Sequence, residues 1–308
     1  MEEWLLTLQQ TVPLLQQAER VVEIRKGLST DRKYRVDLAE GGSVVLRMAR
    51  YEQAEQKEKE FAVLQSMQSF GVRASKPLDF GVRKQLGICY MIVSYIEGEE
   101  AREVLPTLTD SEQQEIGFQA GRDLARMHQL AAPATISAWA SRCVEKHRRY
   151  VEAYRSSAVQ FKDDERILAF IERHLSELAG RPNGFLHDDF HVGNLIVHNH
   201  SYAAVIDFNR YDWGDPVHEF VKLAFYSKEA SIPFCNGQLA GYWNQQEIPD
   251  SFWTLYNVYT AMAIFSSLIW TERTIPELLP DMMKRIETIV EEHDAFTRLI
   301  PRWYSWIK

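Results

Sequence analysis

The chain has 308 residues, of which 45% are hydrophobic and 25% are charged. These values are ordinary for a globular protein of about two domains, and they exclude a disordered, collagen-like or fibrous chain. The formal net charge of −8 at pH 7 argues against a binder of nucleic acid or of anionic membranes. Cys89, Cys143 and Cys235 form no CxxC pair or Cys/His cluster. Neither a disulfide framework nor a zinc site is therefore predicted, and a cytoplasmic location is favoured.

The N-terminal part of the chain predicts a small, β-rich domain. Glycines separate five short segments that are rich in Val, Ile and Tyr, near residues 20–25, 33–38, 43–49, 78–82 and 88–96. This pattern is typical of strands joined by turns. One helix is predicted at about 52–69, where Phe61, Leu64 and Met67 recur at helical spacing.

The chain after Gly98 predicts mainly helices. Thr109 and Glu112 form a capping box that opens a helix running to about Gln129. Further helices are predicted near residues 138–157, 163–178, 216–229, 235–244, 251–271 and 276–298. Residues 183–208 interrupt them with short strands around a loop. We therefore predict one domain at 1–96 and a second at 97–308.

No membrane segment is predicted. The most apolar run, about Val258 to Trp270, is too short to cross a bilayer and contains Thr260 and two serines. The acidic N-terminus, beginning Met1-Glu2-Glu3-Trp4, has no signal-peptide pattern. We expect the apolar run to be a buried helix.

Two neighbouring segments carry the residues best suited to chemistry. The first runs from His187 to Asn194, and the second is Ile206-Asp207-Phe208. Short strands flank the first loop, so we expect Asn194 and Asp207 to approach each other and offer hard oxygen ligands for Mg²⁺. Asp189 lies on the same loop and is placed to accept a proton from an incoming hydroxyl. A metal with a nucleophile-orienting carboxylate is the set of groups that phosphoryl transfer requires.

The order of these residues resembles a known family. The pattern His-x-Asp-x4-Asn over 187–194, then Ile206-Asp207-Phe208 and Gly214-Asp215-Pro216, resembles the kinase-like small-molecule phosphotransferases. That family includes the aminoglycoside phosphotransferases, and macrolide and choline kinases share its plan. The resemblance continues through Ile92–Gly98 and Leu124–His128, and so covers most of residues 20–225. It implies an α+β, bilobal protein-kinase-like fold, with a small antiparallel β-sheet N-terminal lobe and a larger helical C-terminal lobe.

The resemblance implies transfer of the γ-phosphoryl group of ATP or GTP to a hydroxyl of a small molecule. Asp189 would be the catalytic base, and Asn194 and Asp207 would be catalytic residues that hold Mg²⁺. Asp188 stands where the family usually has Gly, and its charge beside Asp189 is expected to raise the pKa of one of the two carboxyls. His191 is left open between loop packing and a contact to phosphate or substrate.

Two further residues of the motif region are expected to support the loop. His187 is interpreted as a buried scaffold residue that hydrogen-bonds within the loop. Asp215 is interpreted as the cap of the helix that follows, with Pro216 at its first position.

The nucleotide is assigned to the N-terminal domain. Arg47 falls on a predicted strand where the family places a phosphate-binding Lys, and Arg can hold phosphate but is not equivalent to Lys. Its partner from the following helix would be Glu60, with Glu58 as the alternative.

A turn and a short extended segment complete the expected nucleotide site. The turn from Lys26 to Tyr34 includes Ser29 and Thr30, whose backbone N–H groups would meet phosphate oxygens, and it contains no P-loop pattern. Val93 and Tyr95, within 92–97, would bind the adenine or guanine through backbone hydrogen bonds.

The acceptor is the least determined part of the interpretation. The C-terminal region is rich in aromatic residues, most of them expected in the core. An acceptor of cationic or aromatic character remains open, as do the choice between ATP and GTP and the oligomeric state. Two alternatives remain: a metabolite kinase of the choline, amino acid or sugar type, and a non-catalytic nucleotide-binding regulatory module.

Overall fold

The computed structural model describes residues 3–26 and 31–305. The chain divides into two compact units, one comprising residues up to Gly98 together with Ala203–Asn209, and the other comprising Glu99–Tyr202 and Arg210–Lys308. The predicted nucleotide-binding residues Ser29 and Thr30 lie outside the described residues. Asp207 belongs to the first unit and Asn194 to the second.

The first unit contains an antiparallel sheet. Its strands are β1 (Ala18–Ile24), β2 (Arg32–Leu38), β3 (Ser43–Arg50), β4 (Pro77–Arg83) and β5 (Ile88–Ser94). The order across the five-stranded sheet is β1-β2-β3-β5-β4, and all four pairings are antiparallel. A short turn at residues 39–42 joins β2 to β3, since antiparallel neighbours need only a short connection.

Three helices complete this unit: α1 (Glu3–Thr11), α2 (Pro13–Gln16) and α3 (Ala54–Ser69). The helix α3 was predicted, whereas α1 and α2 were not. Leu8 and Val12 of this N-terminal segment are fully buried against Val36, Leu46 and neighbouring strand residues. Since side chains alternate along a strand, burial of Leu46 on this face turns Arg47 to the opposite one.

The second unit is mainly helical. Its helices are α4 (Ala101–Val104), α5 (Asp110–Met127), α6 (Trp139–Arg155), α7 (Asp164–His174), α8 (Lys228–Ala230), α9 (Ile232–Tyr242), α10 (Asp250–Thr274) and α11 (Leu279–Glu292). Its short strands are β6 (Glu99–Glu100), β7 (Gly184–Leu186), β8 (Leu195–His198), β9 (Ser201–Val205) and β10 (Asp212–Gly214), of which β9 runs from the second unit into the first. The capping box of Thr109 and Glu112 is present at the start of α5.

Two helix predictions differ from the structure. The helix predicted at 276–298 ends at Glu292 because Asp294, Ala295 and Phe296 all adopt positive φ angles, which stop a right-handed helix. The helix predicted at 216–229 is a series of tighter and wider turns, with a π-helical turn at Leu223–Ser227. Such wide turns are frequent at functional sites.

The helices α5 and α9 approach closely through glycines. A Cβ on Gly121 of α5 would lie 2.0 Å from the carbonyl oxygen of Gln238, and one on Gly237 of α9 would lie 2.1 Å from that of Gln114. Gly117 and Gly241 are equally crowded by backbone atoms. Four glycines, spaced four residues apart on each helix, therefore allow the two backbones to touch.

Helix α10 is the long apolar helix of the second unit. By length and composition alone it could cross a membrane, but 78% of its most apolar window is buried inside the protein. Its Trp253, Tyr256, Tyr259 and Phe265 are at most 1% exposed. The expectation that this apolar run is a buried helix is confirmed, and these aromatic rings are core residues.

Asp215 joins three parts of the second unit. Its buried carboxylate accepts hydrogen bonds from Nε and Nη2 of Arg181 at 2.7 and 2.9 Å, and from the hydroxyl of Tyr259 at 2.7 Å. It also caps the turn that starts at Pro216 by accepting from the backbone N–H of Val217 at 3.1 Å. The predicted capping role is present, and the sequence did not reveal the other partners.

Replacing Asp215 by Ala is expected to lower the free energy of unfolding by about 3–5 kcal/mol, because Arg181 and Tyr259 lose a buried charged partner. Urea denaturation measures this loss. The matched control is Asp212→Ala in β10, whose carboxylate is 40% exposed and faces Arg142 at 3.2 Å; it should cost less than about 1 kcal/mol. Equal losses in the two variants would contradict this account of Asp215.

Candidate active site

The loop between β7 and β8 holds Asp189 and Asn194. Asp188 within it has a φ of 59°, in the left-handed region that favours glycine but that Asp tolerates. This conformation explains how Asp stands where the related motif usually has Gly. His187 and Phe190 are fully buried on either side, which agrees with the predicted scaffold position of His187.

The buried side chain of Glu219 holds the backbone of this loop by two hydrogen bonds. Its Oε2 accepts from the N–H of Asp188 at 3.0 Å, and its Oε1 accepts from the N–H of Phe190 at 3.2 Å. The two bonds bracket Asp189 and set the direction in which its side chain leaves the loop. Sequence analysis missed Glu219; the only signal was an acidic residue within the apolar segment that follows Pro216.

Asp189 is surrounded by donors. Its Oδ1 lies 3.3 Å from Nζ of Lys222 and 3.3 Å from Nε2 of His191. Its Oδ2 accepts from Nδ2 of Asn194 at 3.2 Å, and the same amide nitrogen donates to the backbone oxygen of Asp189 at 2.9 Å. The two bonds from Nδ2 leave the side-chain oxygen of Asn194 as the atom suited to a metal ion.

His191 uses both ring nitrogens within the loop. Its Nδ1 accepts from the N–H of Gly193 at 3.0 Å, so a neutral ring carries its proton on Nε2 and donates it to Asp189. The ring also packs against Tyr226, with the ring centroids 4.9 Å apart. Of the two roles left open for His191, these contacts favour loop packing.

Opposing effects set the ionisation of Asp189. Burial acts to raise the pKa of Asp189, but the hydrogen bond from His191 and the charge of Lys222 outweigh it and hold the pKa well below its ordinary value. Burial likewise acts to lower the pKa of Lys222, and the carboxylates of Asp188 and Asp189 raise it above its ordinary value. The raised pKa expected for one carboxyl of this pair is not found at Asp189, because the sequence did not reveal Lys222.

Glu219 has the opposite perturbation. Burial, together with the negative charge of Asp188, raises the pKa of Glu219 from 4.5 to about 7. Between these two values the folded chain holds a proton on Glu219 that the unfolded chain has lost. This group therefore makes the folded state less stable as the pH rises from about 4.5 to about 7.

The variant Glu219→Gln should remove this pH dependence, because an amide does not titrate. Relative to wild type, its free energy of unfolding should rise by about 3 kcal/mol between pH 5 and pH 8. Urea unfolding at a series of pH values measures the difference. Glu58→Gln on the exposed face of α3 is the control and should track wild type. A constant difference between Glu219→Gln and wild type would contradict the raised pKa.

Asp207, in the first unit, has the features of a cation ligand. Its φ of 69° lies in the left-handed region that Asp tolerates, and the N–H of Val205, two residues before it, donates to the oxygen of Arg73 at 2.9 Å. Its Oδ2 lies 3.6 Å from Nζ of Lys33. Within the described residues, its buried Oδ1 has no hydrogen-bond partner. An unpaired carboxylate oxygen of this kind suits a hard cation.

The described residues suit a magnesium ion that is only partly bound by protein, rather than a metal ion bound entirely by protein side chains. Over residues 3–26 and 31–305, no group of three or more His, Cys, Asp or Glu residues could hold a metal ion. Mg²⁺ is usually bound by one or two protein oxygens while waters and substrate phosphates complete its shell. The side-chain oxygen of Asn194 in the second unit and Oδ1 of Asp207 in the first unit are each an oxygen of this kind.

Arg47 lies in a buried cluster of four charges in the first unit. Its guanidinium pairs with Glu60 and, at 2.8 Å, with Asp31, while Nζ of Lys57 lies 2.6 Å from Asp31 and 3.2 Å from Glu60. All four side chains are at most 9% exposed. Burial acts to raise the pKa of Asp31, but Arg47 and Lys57 hold it below its ordinary value. We call Asp31, Arg47, Lys57 and Glu60 the charge cluster.

The sequence found only half of the charge cluster. The predicted pairing of Arg47 with Glu60 is present, and the alternative, Glu58, is exposed on α3. Asp31 and Lys57 were missed because Asp31 lies within the turn predicted from Lys26 to Tyr34, and Lys57 lies in a run of charged residues typical of a solvent-exposed helix face.

Residues 92–97, which were assigned to the adenine or guanine, lie at the end of β5. Val93 is paired with Val45 of β3 and is 5% exposed. The N–H of Tyr95 donates to the oxygen of Ser43 at 3.1 Å, and the Tyr95 ring packs on the guanidinium of Arg35. This N–H is therefore already used, so a base would have to bind other backbone groups of 92–97.

Comparison with known proteins decides the family. The family model APH, described as the phosphotransferase enzyme family, matches residues 20–250. The chain belongs to the phosphotransferase enzyme family. The match includes the strand of Arg47, the loop of Asp189 and the segment of Asp207. Membership of this family implies kinase-type phosphotransferase activity. No curated protein sequence gave a significant match.

Solved structures support the same fold. The GDP complex of aminoglycoside 2'-phosphotransferase-IIIa superposes with a TM-score of 0.69 at 14% identity, covering 93% of this chain and 97% of that one. ADP-bound aminoglycoside phosphotransferase APH(2'')-Ib gives 0.63 at 16%, covering 94% and 98%. Amicoumacin kinase hAmiN, in complex with AMP-PNP, Ca²⁺ and Ami, gives 0.64 at 14%, covering 98% and 96%. The expected kinase-like α+β fold of this phosphotransferase is confirmed.

Proposed function

We propose that this phosphotransferase moves the γ-phosphoryl group of ATP or GTP to a hydroxyl of a small molecule and requires Mg²⁺. The observation that carries the proposal is Asp189, which is held ionised and aimed by Lys222, His191 and Asn194. The solved structures named above contain GDP, ADP or AMP-PNP, which supports a nucleotide co-substrate for this chain.

Each polar group has its own task in this mechanism. Asp189 accepts a hydrogen bond from the acceptor hydroxyl and orients it towards the γ-phosphorus. As the new O–P bond forms and the bond to the β-phosphate oxygen breaks, the hydroxyl becomes acidic enough to give its proton to Asp189. The low pKa of Asp189 makes orientation its larger contribution, since a base is most effective with a pKa near the working pH.

Asn194 and Asp207 would hold the magnesium ion. Mg²⁺ supplies positive charge that neutralises the phosphate oxygens during transfer. The side-chain oxygen of Asn194 and Oδ1 of Asp207 are the atoms left for it by the hydrogen bonds of the structure.

All three cysteines are free and buried, which supports a reducing, cytoplasmic location.

The test is nucleoside-diphosphate release from Mg-ATP and Mg-GTP across a panel of aminoglycosides, macrolides, amino alcohols, amino acids and sugars. Acceptor-dependent release that is lost without Mg²⁺ is the expected result. Release with a metabolite alone would select the metabolite kinase. Tight nucleotide binding without transfer to any acceptor would support the regulatory module and overturn the proposed activity.

A further inference from the structure

Two basic side chains lie on the same face of the first unit's sheet. Lys33 of β2 and Arg47 of β3 are direct partners in the strand pairing, and the next partner of Arg47 is Met91 of β5. Directly paired residues project from the same side of a sheet. The other side, which carries Leu46, is covered by α1 and α2. Lys33 and Arg47 therefore both project from the face of the sheet opposite α1 and α2.

Arg47 is poorly placed to bind a phosphate. Both terminal nitrogens of its guanidinium are paired, one with Glu60 and one with Asp31, so that within the described residues only its buried Nε lacks a partner. Lys57 balances the second negative charge, so the charge cluster holds two positive and two negative groups and is neutral. A phosphate could reach Arg47 only by separating charges that are at most 9% exposed, which is costly in the protein interior.

Lys33 is in a different situation. Its ammonium lies 3.6 Å from Oδ2 of Asp207, too far for a good hydrogen bond, and its side chain is 15% exposed. It stands at the start of β2, two residues after Asp31, where the chain leaves the turn assigned to the phosphates. Its partner Asp207 is the residue with an unpaired buried oxygen. Lys33 and Asp207 thus form a long ion pair that is accessible to solvent, whereas the ion pairs of the charge cluster are buried.

We infer that Lys33, and not Arg47, is the side chain of this sheet that binds the β- and γ-phosphates of the nucleotide. The inference rests on the proposed function, because it requires a nucleoside triphosphate. On binding, Lys33 exchanges its long contact with Asp207 for charge-assisted hydrogen bonds to phosphate oxygens. The same exchange releases Oδ2 of Asp207 for cation binding. Arg47 then has a structural task, which is to hold α3 against β3 through the charge cluster.

The test compares nucleotides with nucleosides. Dissociation constants for ADP, GDP, adenosine and guanosine are measured by calorimetry on wild type and on Lys33→Met. The variant should bind the diphosphates about 10- to 100-fold more weakly, which is the loss expected for hydrogen bonds between charged groups. Nucleoside binding should be unchanged. Lys33→Arg should recover most of the loss, and Lys59→Met, an exposed lysine on α3, should behave as wild type.

A second variant keeps the result interpretable. Arg47→Lys preserves the charge and should lower the melting temperature, yet retain the wild-type ratio of diphosphate to nucleoside affinity. A diphosphate affinity of Lys33→Met equal to that of wild type would overturn the inference. So would loss of diphosphate preference in Arg47→Lys alone. Wild-type protein that binds none of the nucleotides would instead overturn the proposed function.

Discussion

Replacing Asp189 by Asn is expected to lower the rate of phosphoryl transfer by about 10²–10⁴-fold, because the carboxylate both orients the acceptor hydroxyl and takes its proton. Asn has nearly the same shape, but it lacks the negative charge that accepts the hydroxyl proton and that Lys222 balances at 3.3 Å. Nucleotide affinity should stay close to wild type. Nucleoside-diphosphate release at saturating nucleotide and acceptor measures the rate, and calorimetry measures the affinity.

Asp188→Asn is the matched control for this prediction. It makes the same chemical change one residue earlier, and Asn tolerates the left-handed φ of 59° as well as Asp does. Its Oδ1 lies 3.7 Å from Nδ1 of His218. We expect Asp188→Asn to keep most of the activity. A loss equal to that of Asp189→Asn would show that the base has been assigned to the wrong residue of the pair.

Replacing Glu60 by Gln is expected to lower the free energy of unfolding by about 3–5 kcal/mol. Arg47 and Lys57 would then share the single negative charge of Asp31 inside the protein, and an uncompensated buried charge is far more costly than a lost surface pair. Urea denaturation followed by circular dichroism measures the loss.

Glu58→Gln, two residues away on the exposed face of α3, should change the stability by less than about 0.5 kcal/mol. The double variant Arg47→Met with Glu60→Leu should be less destabilised than the sum of its single changes, because both partners of one buried pair leave together. If Glu60→Gln is as stable as Glu58→Gln, the charge cluster does not contribute to folding.

The sequence predicted those features that depend on neighbouring residues. The loop from His187 to Asn194, the strands around it and the strand of Arg47 follow from local spacing and side-chain alternation, and the structure contains them. The short helices α1 and α2 were not predicted, although their buried residues Leu5, Leu8 and Leu15 and the intervening Val12 recur at helical spacing. The end of α11 depends on the positive φ angles of Asp294, Ala295 and Phe296, and Ala and Phe rarely adopt such angles, so their identities did not predict it.

The groups that set the electrostatics of the candidate site were not predictable in this way. Lys222 reaches Asp189 across 33 positions of sequence, and Glu219 reaches Phe190 across 29. A spacing rule describes groups on one helix or loop, whereas these contacts arise only when a distant segment packs against the loop. Lys222 is also a reason why Asp189 does not have the raised pKa that was expected for one carboxyl of the pair.

Arg47 illustrates the same limit. The alternation of β3 gives the face on which its side chain lies, and the family resemblance suggested a phosphate as its ligand. The structure shows that Asp31, brought in by β2, already occupies one side of the guanidinium. The motif position thus predicted where a positive charge lies, but not which negative group pairs with it.

The glycine contact between α5 and α9 restricts how this sequence can diverge. At all four glycines the atom that blocks a Cβ belongs to a backbone, so no change of side-chain rotamer can make room. Single replacements by Ala therefore require the two helices to separate, and a stepwise evolutionary path through one such replacement is closed. In relatives that keep this packing, we expect the four positions to stay glycine or to change together, which makes them a covariation marker for the second unit.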